Sequence, residues 1–194
     1  MGLVSDFNTA LELWFNAHGI PNLNFVEGET FCFYHQQKNV VQWGFFFDED
    51  TENNFSQFMH EYGCTYNTPN NFVESILHEV GHYLTMPNFT KKEIATDDKE
   101  KDKQTRRNKG KSVTIDVNYW YWELPIEFAA NLWMINFINA HKDWVIDLYN
   151  LCEKHLTAIF NDDDIQEQLQ DWLADAADGI DEPLVIIEHA GEEE

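Results

Sequence analysis

Apolar side chains recur at helical spacing in several stretches of this chain and cluster as β-branched and aromatic runs in others, and the predicted elements follow from that pattern. The first stretch carries Phe7, Leu11, Leu13, Trp14 and Phe15 on one side. It is a helix capped by Asp6, running to about Ala17 and closed by His18-Gly19-Ile20-Pro21. Leu23 to Tyr34 and Val40 to Phe47, with Gln36-Gln37-Lys38-Asn39 between them, predict an antiparallel hairpin. A short helix over about Thr51 to Tyr62 stops at Gly63, and a link to Asn70 leads into the next. There Asn71 is a good N-cap residue, Glu74 follows at capping-box spacing, and Val73, Ile76, Leu77, Val80 and Leu84 form a stripe that Met86-Pro87 ends.

The second half has the same character after one interruption. Val113 to Val117 predicts a short strand, and Pro125 fits the first position of a helix that is apolar on nearly every side. Asp143 to Phe160 is amphipathic through Trp144, Val145, Leu148, Leu151, Cys152, Leu156 and Ile159; Asp162 or Asp163 can cap a last helix to Ala177. Trp144 and Trp172 are expected in the core rather than as binding platforms. The fold class expected is α+β: one mostly helical domain over residues 1–178 with a small antiparallel sheet, then an acidic tail over 179–194.

The interruption is Asn88 to Ser112, where Lys, Arg, Asp, Thr and Asn dominate and apolar residues are nearly absent. It predicts a polar, basic, mobile insertion, either a solvated loop or a lid or clamp for an acidic partner. Charge sharpens its contrast with the rest. The chain carries a net charge of −23, yet nine of its twelve Lys and Arg residues lie between Lys91 and Lys111, leaving Lys38, Lys142 and Lys154 elsewhere. So acidic a surface disfavours nucleic acid and anionic membranes; it suits solubility, a basic protein partner, or mimicry of nucleic acid. No apolar run is long enough to span a bilayer and the N-terminus has no secretory pattern, so an intracellular, cytoplasmic protein is expected. Cys32, Cys64 and Cys152 fit no metal-binding or disulfide spacing and read as reduced core residues.

Candidate chemistry lies in His78-Glu79-Val80-Gly81-His82. On a helix, positions i and i+4 share a face, so His78 and His82 can direct ring nitrogens at one cation while Glu79 sits beside it. Gly81 costs a helix about 1 kcal/mol relative to alanine, which is understandable where something must approach the backbone closely. Glu127, in the first turn of an otherwise apolar helix, needs a partner if buried. A metal would satisfy it, and the carbonyl of Asn131 one turn later could accept the free N–H of a ligand histidine. Glu123 is the rival ligand should that helix begin earlier.

His78-Glu79-Val80-Gly81-His82-Tyr83-Leu84 together with Glu127-Phe128-Ala129-Ala130-Asn131 resembles the zincin metallopeptidases, and among them the ImmA/IrrE-like and phage-encoded proteins. The resemblance covers about the middle third of the chain. It implies His78, His82 and Glu127 as Zn²⁺ ligands, Glu79 as general base, and hydrolysis of a protein or peptide substrate by a zinc-activated water. The interval between His82 and Glu127 is long, which the basic excursion explains as an insertion, and Asn131 stands where such proteins commonly have Asp. An oxyanion donor would also be needed, for which Tyr119, Tyr121 and His60 are candidates, and an edge strand of the hairpin or Val113 to Val117 would align the substrate. Two other classes of function compete: an acidic binding protein that uses the scaffold without cleavage, and a virion-associated structural component stabilised by its metal.

Overall fold

The computed structural model describes residues 2–28, 32–36, 38–44, 49–69, 71–108 and 120–162. The expected strand at Val113 to Val117, the last helix with Trp172, and the acidic tail lie outside them. Among the described residues the main elements run in the order α1 (Leu3–Ala17), β1 (Asn24–Glu27), β2 (Phe33–His35), β3 (Val40–Trp43), α2 (Glu49–Glu61), α3 (Phe72–Thr85), α4 (Lys91–Asn108), α5 (Pro125–Ala140) and α6 (Lys142–Phe160). A 3₁₀ turn at Met86–Asn88, with Pro87 in its first positions, ends α3 as expected. The fold is α+β and mostly helical.

Phe7, Leu11 and Phe15 of α1 face the core, but Leu13 is 63 % exposed and does not belong to that face. The helix also begins before Asp6. Gly2 occupies the N-cap without a side-chain bond, and Asp6 lies within the first turn, where its charge favours the helix dipole. Gly19 at φ +82° and Gly63 at φ +87° take left-handed backbone just after α1 and α2, the conformation that lets each helix stop sharply.

The sheet is mixed rather than antiparallel. Its order is β1-β3-β2, with β3 antiparallel to β2 but parallel to β1. The stretch read as one strand from Leu23 to Tyr34 is two, because the pairing of β1 ends at the Gly28 N–H, which donates to the Trp43 carbonyl at 2.6 Å. The chain then reaches the far side of β3, where Tyr34 stands opposite Val41. A residue alphabet suited to strands does not say which side of a neighbour each strand takes.

The core lies between this sheet, α1, α3, α5 and α6. Val41 and Trp43 from β3, Val73, Ile76, Leu77 and Val80 from α3, Met134 and Ile138 from α5, and Val145 and Leu148 from α6 are buried together. The expected α3 stripe is therefore its core face, with half-buried Leu84 at the margin. Trp144 is half-buried against this core and stacks on His141 with centroids 4.1 Å apart. Cys32, Cys64 and Cys152 are buried and form no disulfide. Among the described residues, no helix is long and apolar enough to cross a membrane.

The start of α3 is built differently from a capping box. The Asn71 side chain meets the Ser56 hydroxyl of α2 at 3.2 Å instead of its own helix, and Glu74, fully buried, accepts from the Thr68 N–H at 2.6 Å and the Thr68 hydroxyl at 2.5 Å. These contacts tie the preceding link down rather than satisfying the helix's own first N–H groups.

The excursion after Pro87 is not an irregular loop. Residues 91–108 form α4, opened by a capping box: the Thr90 hydroxyl accepts from the Glu93 N–H at 3.3 Å while the Glu93 carboxylate takes the Thr90 N–H at 2.7 Å. Helix-forming Lys, Glu, Gln, Arg and Ala supply propensity, and Lys103–Glu100 and Arg106–Asp102 pairs lie along its exposed side. What the helix buries is polar: Asp97 is 5 % exposed, and Lys101 turns inward four residues later.

Gly81 is where α3 meets α5. A methyl group there would lie 2.7 Å from the Ala130 carbonyl oxygen and 3.0 Å from its Cα. Because the obstacle is backbone, Gly81→Ala is expected to lower stability by about 1–3 kcal/mol through overpacking, despite a gain of about 1 kcal/mol in helix propensity. A urea midpoint equal to or above that of the unaltered chain would show that the crossing is not so tight.

Candidate metal centre

α3 places His78 and His82 one turn apart, and the close crossing at Gly81 brings the first turn of α5 to them. Pro125 opens α5 with Leu124 at its N-cap, so Glu127 stands at the helix start, only 2 % exposed. Its Oε2 lies 3.1 Å from His78 Nε2 and 3.2 Å from His82 Nε2, while the two Nε2 atoms are 3.0 Å apart. Three atoms contributed by two helices thus form a nearly equilateral triangle. Glu79 adjoins it, with Oε1 4.0 Å from His78 Nε2, and His78, Glu79 and His82 form a group able to hold a metal ion.

The protonation of His78 follows from its other neighbour. The side-chain amide of Asn131 donates through Nδ2 to the Trp122 carbonyl at 3.2 Å, so its Oδ1 is what faces His78 Nδ1 at 2.8 Å. An amide oxygen only accepts, so Nδ1 carries a hydrogen and donates it. In the neutral ring Nε2 then presents a lone pair to the carboxylate oxygen and toward the second imidazole. Such a convergence of acceptors requires a cation, a proton or a metal ion. The ligands of a tetrahedral ion bonded at about 2.1 Å stand about 3.4 Å apart, close to the edges found here, so the residues fit a metal. His82 Nδ1 is buried with no hydrogen-bond partner among the described residues.

Charges around the triangle are strongly coupled. Burial would depress the pKa of His78, but the hydrogen bond to Glu127, the charges of Glu79 and Glu127 and the bond to Asn131 together raise it to about 9. For Glu127, burial pushes upward and is outweighed by the His82 charge, the bonds to both imidazoles and the Lys101 ammonium, which hold it well below the usual carboxylate range. Lys101 comes from α4: its Nζ donates to Glu127 Oε1 at 2.5 Å and lies 3.4 Å from Asp97 Oδ2. Burial works against its charge, and the two carboxylates more than restore it. Asp97 in turn reaches the start of α5, where its Oδ1 accepts from the Ile126 N–H at 3.4 Å.

The other residues singled out from sequence are placed elsewhere. Glu123 is exposed and accepts from the Tyr62 hydroxyl at 2.5 Å, so α5 brings Glu127, not Glu123, to the histidines. His60 is exposed, with Nδ1 3.1 Å from the Cys64 carbonyl. Tyr121 is half-buried, with Lys101 Nζ 5.4 Å from its ring centre, and Tyr119 is outside the described residues. Sequence reasoning missed Lys101 and Asp97. Their signal was present in the Thr90-x-x-Glu93 capping box and the Asp97/Lys101 spacing. No protein-family model, curated protein or solved structure matches the chain.

Two measurements probe this arrangement. Asn131→Asp would set a carboxylate against the Trp122 carbonyl in place of a donor, and is expected to lower stability by about 1–3 kcal/mol, read as a shifted urea midpoint. A variant as stable as the parent would contradict the assigned amide orientation. In protein stripped of metal by a chelator, His78 has its pKa raised from 6.5 to about 9 on folding. The stabilisation from its charge is then complete below pH 6.5 and lost as pH rises to about 9. Melting temperature should fall across that interval, and Glu127→Gln should flatten the fall.

Proposed function

We propose that this chain is a zinc-dependent metallopeptidase of zincin type, hydrolysing peptide bonds in a protein substrate. The observation that carries the reading is the convergence of His78 Nε2, His82 Nε2 and Glu127 Oε2 with the Glu79 carboxylate beside them. Two imidazoles and one carboxylate are a donor set that suits zinc while leaving a coordination position open. When bound there, zinc supplies Lewis acidity, polarising a carbonyl and acidifying a water.

The chain's own residues do the rest. Glu79 accepts a proton from the attacking water as its oxygen bonds to the peptide carbonyl carbon, then returns that proton to the departing amine as the C–N bond breaks. Asn131 holds His78 in the tautomer that directs Nε2 inward. β2 flanks the sheet beside α3, where the Tyr34 and Tyr83 rings are 5.9 Å apart, and addition of an extended peptide to that edge would align a substrate. With a net charge of −23 and its cations concentrated within 91–111, the chain favours encounter with a basic segment.

One observation favours a second reading, a metal that only stabilises the fold. The side chains of His78, Glu79, His82 and Glu127 are 12, 11, 8 and 3 % exposed, an enclosure typical of structural sites. Zinc content and Glu79→Gln separate the two. The peptidase reading expects about one zinc per chain and a loss of roughly 10²–10⁴-fold in cleavage of a basic peptide library on Glu79→Gln, with zinc retained. Zinc bound without cleavage by the unaltered chain favours the structural reading, and absence of zinc overturns both.

A further inference from the structure

We propose that Lys101, carried on α4 and braced by Asp97, pins the outer oxygen of Glu127 so that this carboxylate meets a metal ion through Oε2 alone and leaves a coordination position open. The inference rests on the zinc reading above and assigns a positioning residue to it.

A carboxylate offers two equivalent oxygens, and nothing in a glutamate side chain by itself keeps both from closing on one ion. Here the oxygens have different partners. Oε2 faces the two imidazoles, whereas Oε1 accepts a charge-assisted hydrogen bond from Lys101 Nζ at 2.5 Å. The Lys101 side chain is 21 % exposed and its carboxylate partners 2 and 3 %, so this is not a solvated surface pair able to drift. Two further contacts anchor the lysine: Asp97 Oδ2 at 3.4 Å, one turn earlier on α4, and the Tyr121 ring at 5.4 Å from Nζ. Asp97 also accepts from the Ile126 N–H, immediately before Glu127 in sequence, so α4 grips both the backbone and the side chain of the turn that presents the ligand.

Charge supports the same assignment. Glu79 and Glu127 lie beside the imidazoles and Asp97 lies behind them, with Lys101 bonded to Glu127 and paired with Asp97. A divalent ion on the triangle would balance the remaining negative charge. Removing the lysine would leave Glu127 Oε1 without this donor and free to turn toward the ion.

The test uses the full chain loaded with zinc, and separately with cobalt(II), whose visible absorption reports coordination number and geometry. Lys101→Met keeps most of the buried stem and removes the charged donor. By removing a positive charge beside the ion and freeing Glu127 Oε1, it is expected to tighten zinc binding about 10-fold in chelator competition and to shift the cobalt spectrum toward a higher coordination number. Lys101→Arg, which restores charge and donors, should bring affinity back to within a few-fold of the unaltered chain and return its spectrum. Lys101→Gln, which keeps a donor but no charge, should fall between them and serves if the methionine variant does not fold. A merely structural role would lower the melting temperature of these variants while leaving the cobalt spectrum and chelator competition unchanged, and that result overturns the proposal while sparing the zinc reading. Failure of the unaltered chain to bind either ion overturns both.

Discussion

The approach of two helix backbones at Gly81 and Ala130 is the constraint on which the centre depends. Helices usually pack with side chains between them, about 8–10 Å axis to axis. Here even a methyl group at position 81 would meet the Ala130 carbonyl at 2.7 Å, so α3 and α5 touch main chain to main chain. A glutamate reaches only a few ångströms from its helix. The triangle of Nε2, Nε2 and Oε2 atoms closes because the backbones that carry them are so near, with His78 and His82 on either side of the contact and Glu127 one turn before it. The hydrophobic core supplies the pressure for this crossing: Ile76, Leu77 and Val80 from one helix and Met134 and Ile138 from the other are buried in the same cluster.

Two buried carboxylates in this protein are satisfied in different ways. Glu74, fully buried at the start of α3, accepts from an N–H and a hydroxyl of Thr68 and joins a link to a helix. Both Thr68 groups are neutral donors. Glu127 is as deeply buried, yet its inner oxygen faces two imidazole nitrogens, one of which is turned acceptor-side inward by Asn131. Burying a charge costs several kcal/mol unless it is paired, and acceptors facing acceptors pair only through something positive between them. That contrast, rather than burial alone, sets the α3–α5 contact apart, where a proton on His78 or a metal ion can occupy the space between the acceptors.

Most helical elements and the two histidines were legible because each declares itself locally. The α3 stripe, the stop at Met86-Pro87 and the start of α5 at Pro125 depend on residues within a few positions of one another. The carboxylate of Glu127 was legible for a related reason: a charged residue in a helix apolar on nearly every side has few places to go. The sheet was legible only as strand material, since the parallel pairing of β1 with β3 is a choice between neighbours that β-branched composition leaves open. α4 was misread because a helix is ordinarily recognised by an apolar face, and this one turns Asp97 and Lys101 inward instead. Its capping box was visible at Thr90 and Glu93, but the scarcity of apolar residues outweighed it.

By itself, then, the order of residues determined where α3 stops and α5 starts, which imidazoles share a face, and that a glutamate in α5 must find a partner, because these are matters of spacing along one backbone and of the cost of burying charge. Only the tertiary structure decided that Glu127 rather than Glu123 faces the histidines, that Asn131 spans Trp122 and His78, and that a basic helix reaches the ligand from the other side. Each of those is a distance between segments far apart in the chain, and such distances follow from how closely the backbones pack, which no local pattern encodes.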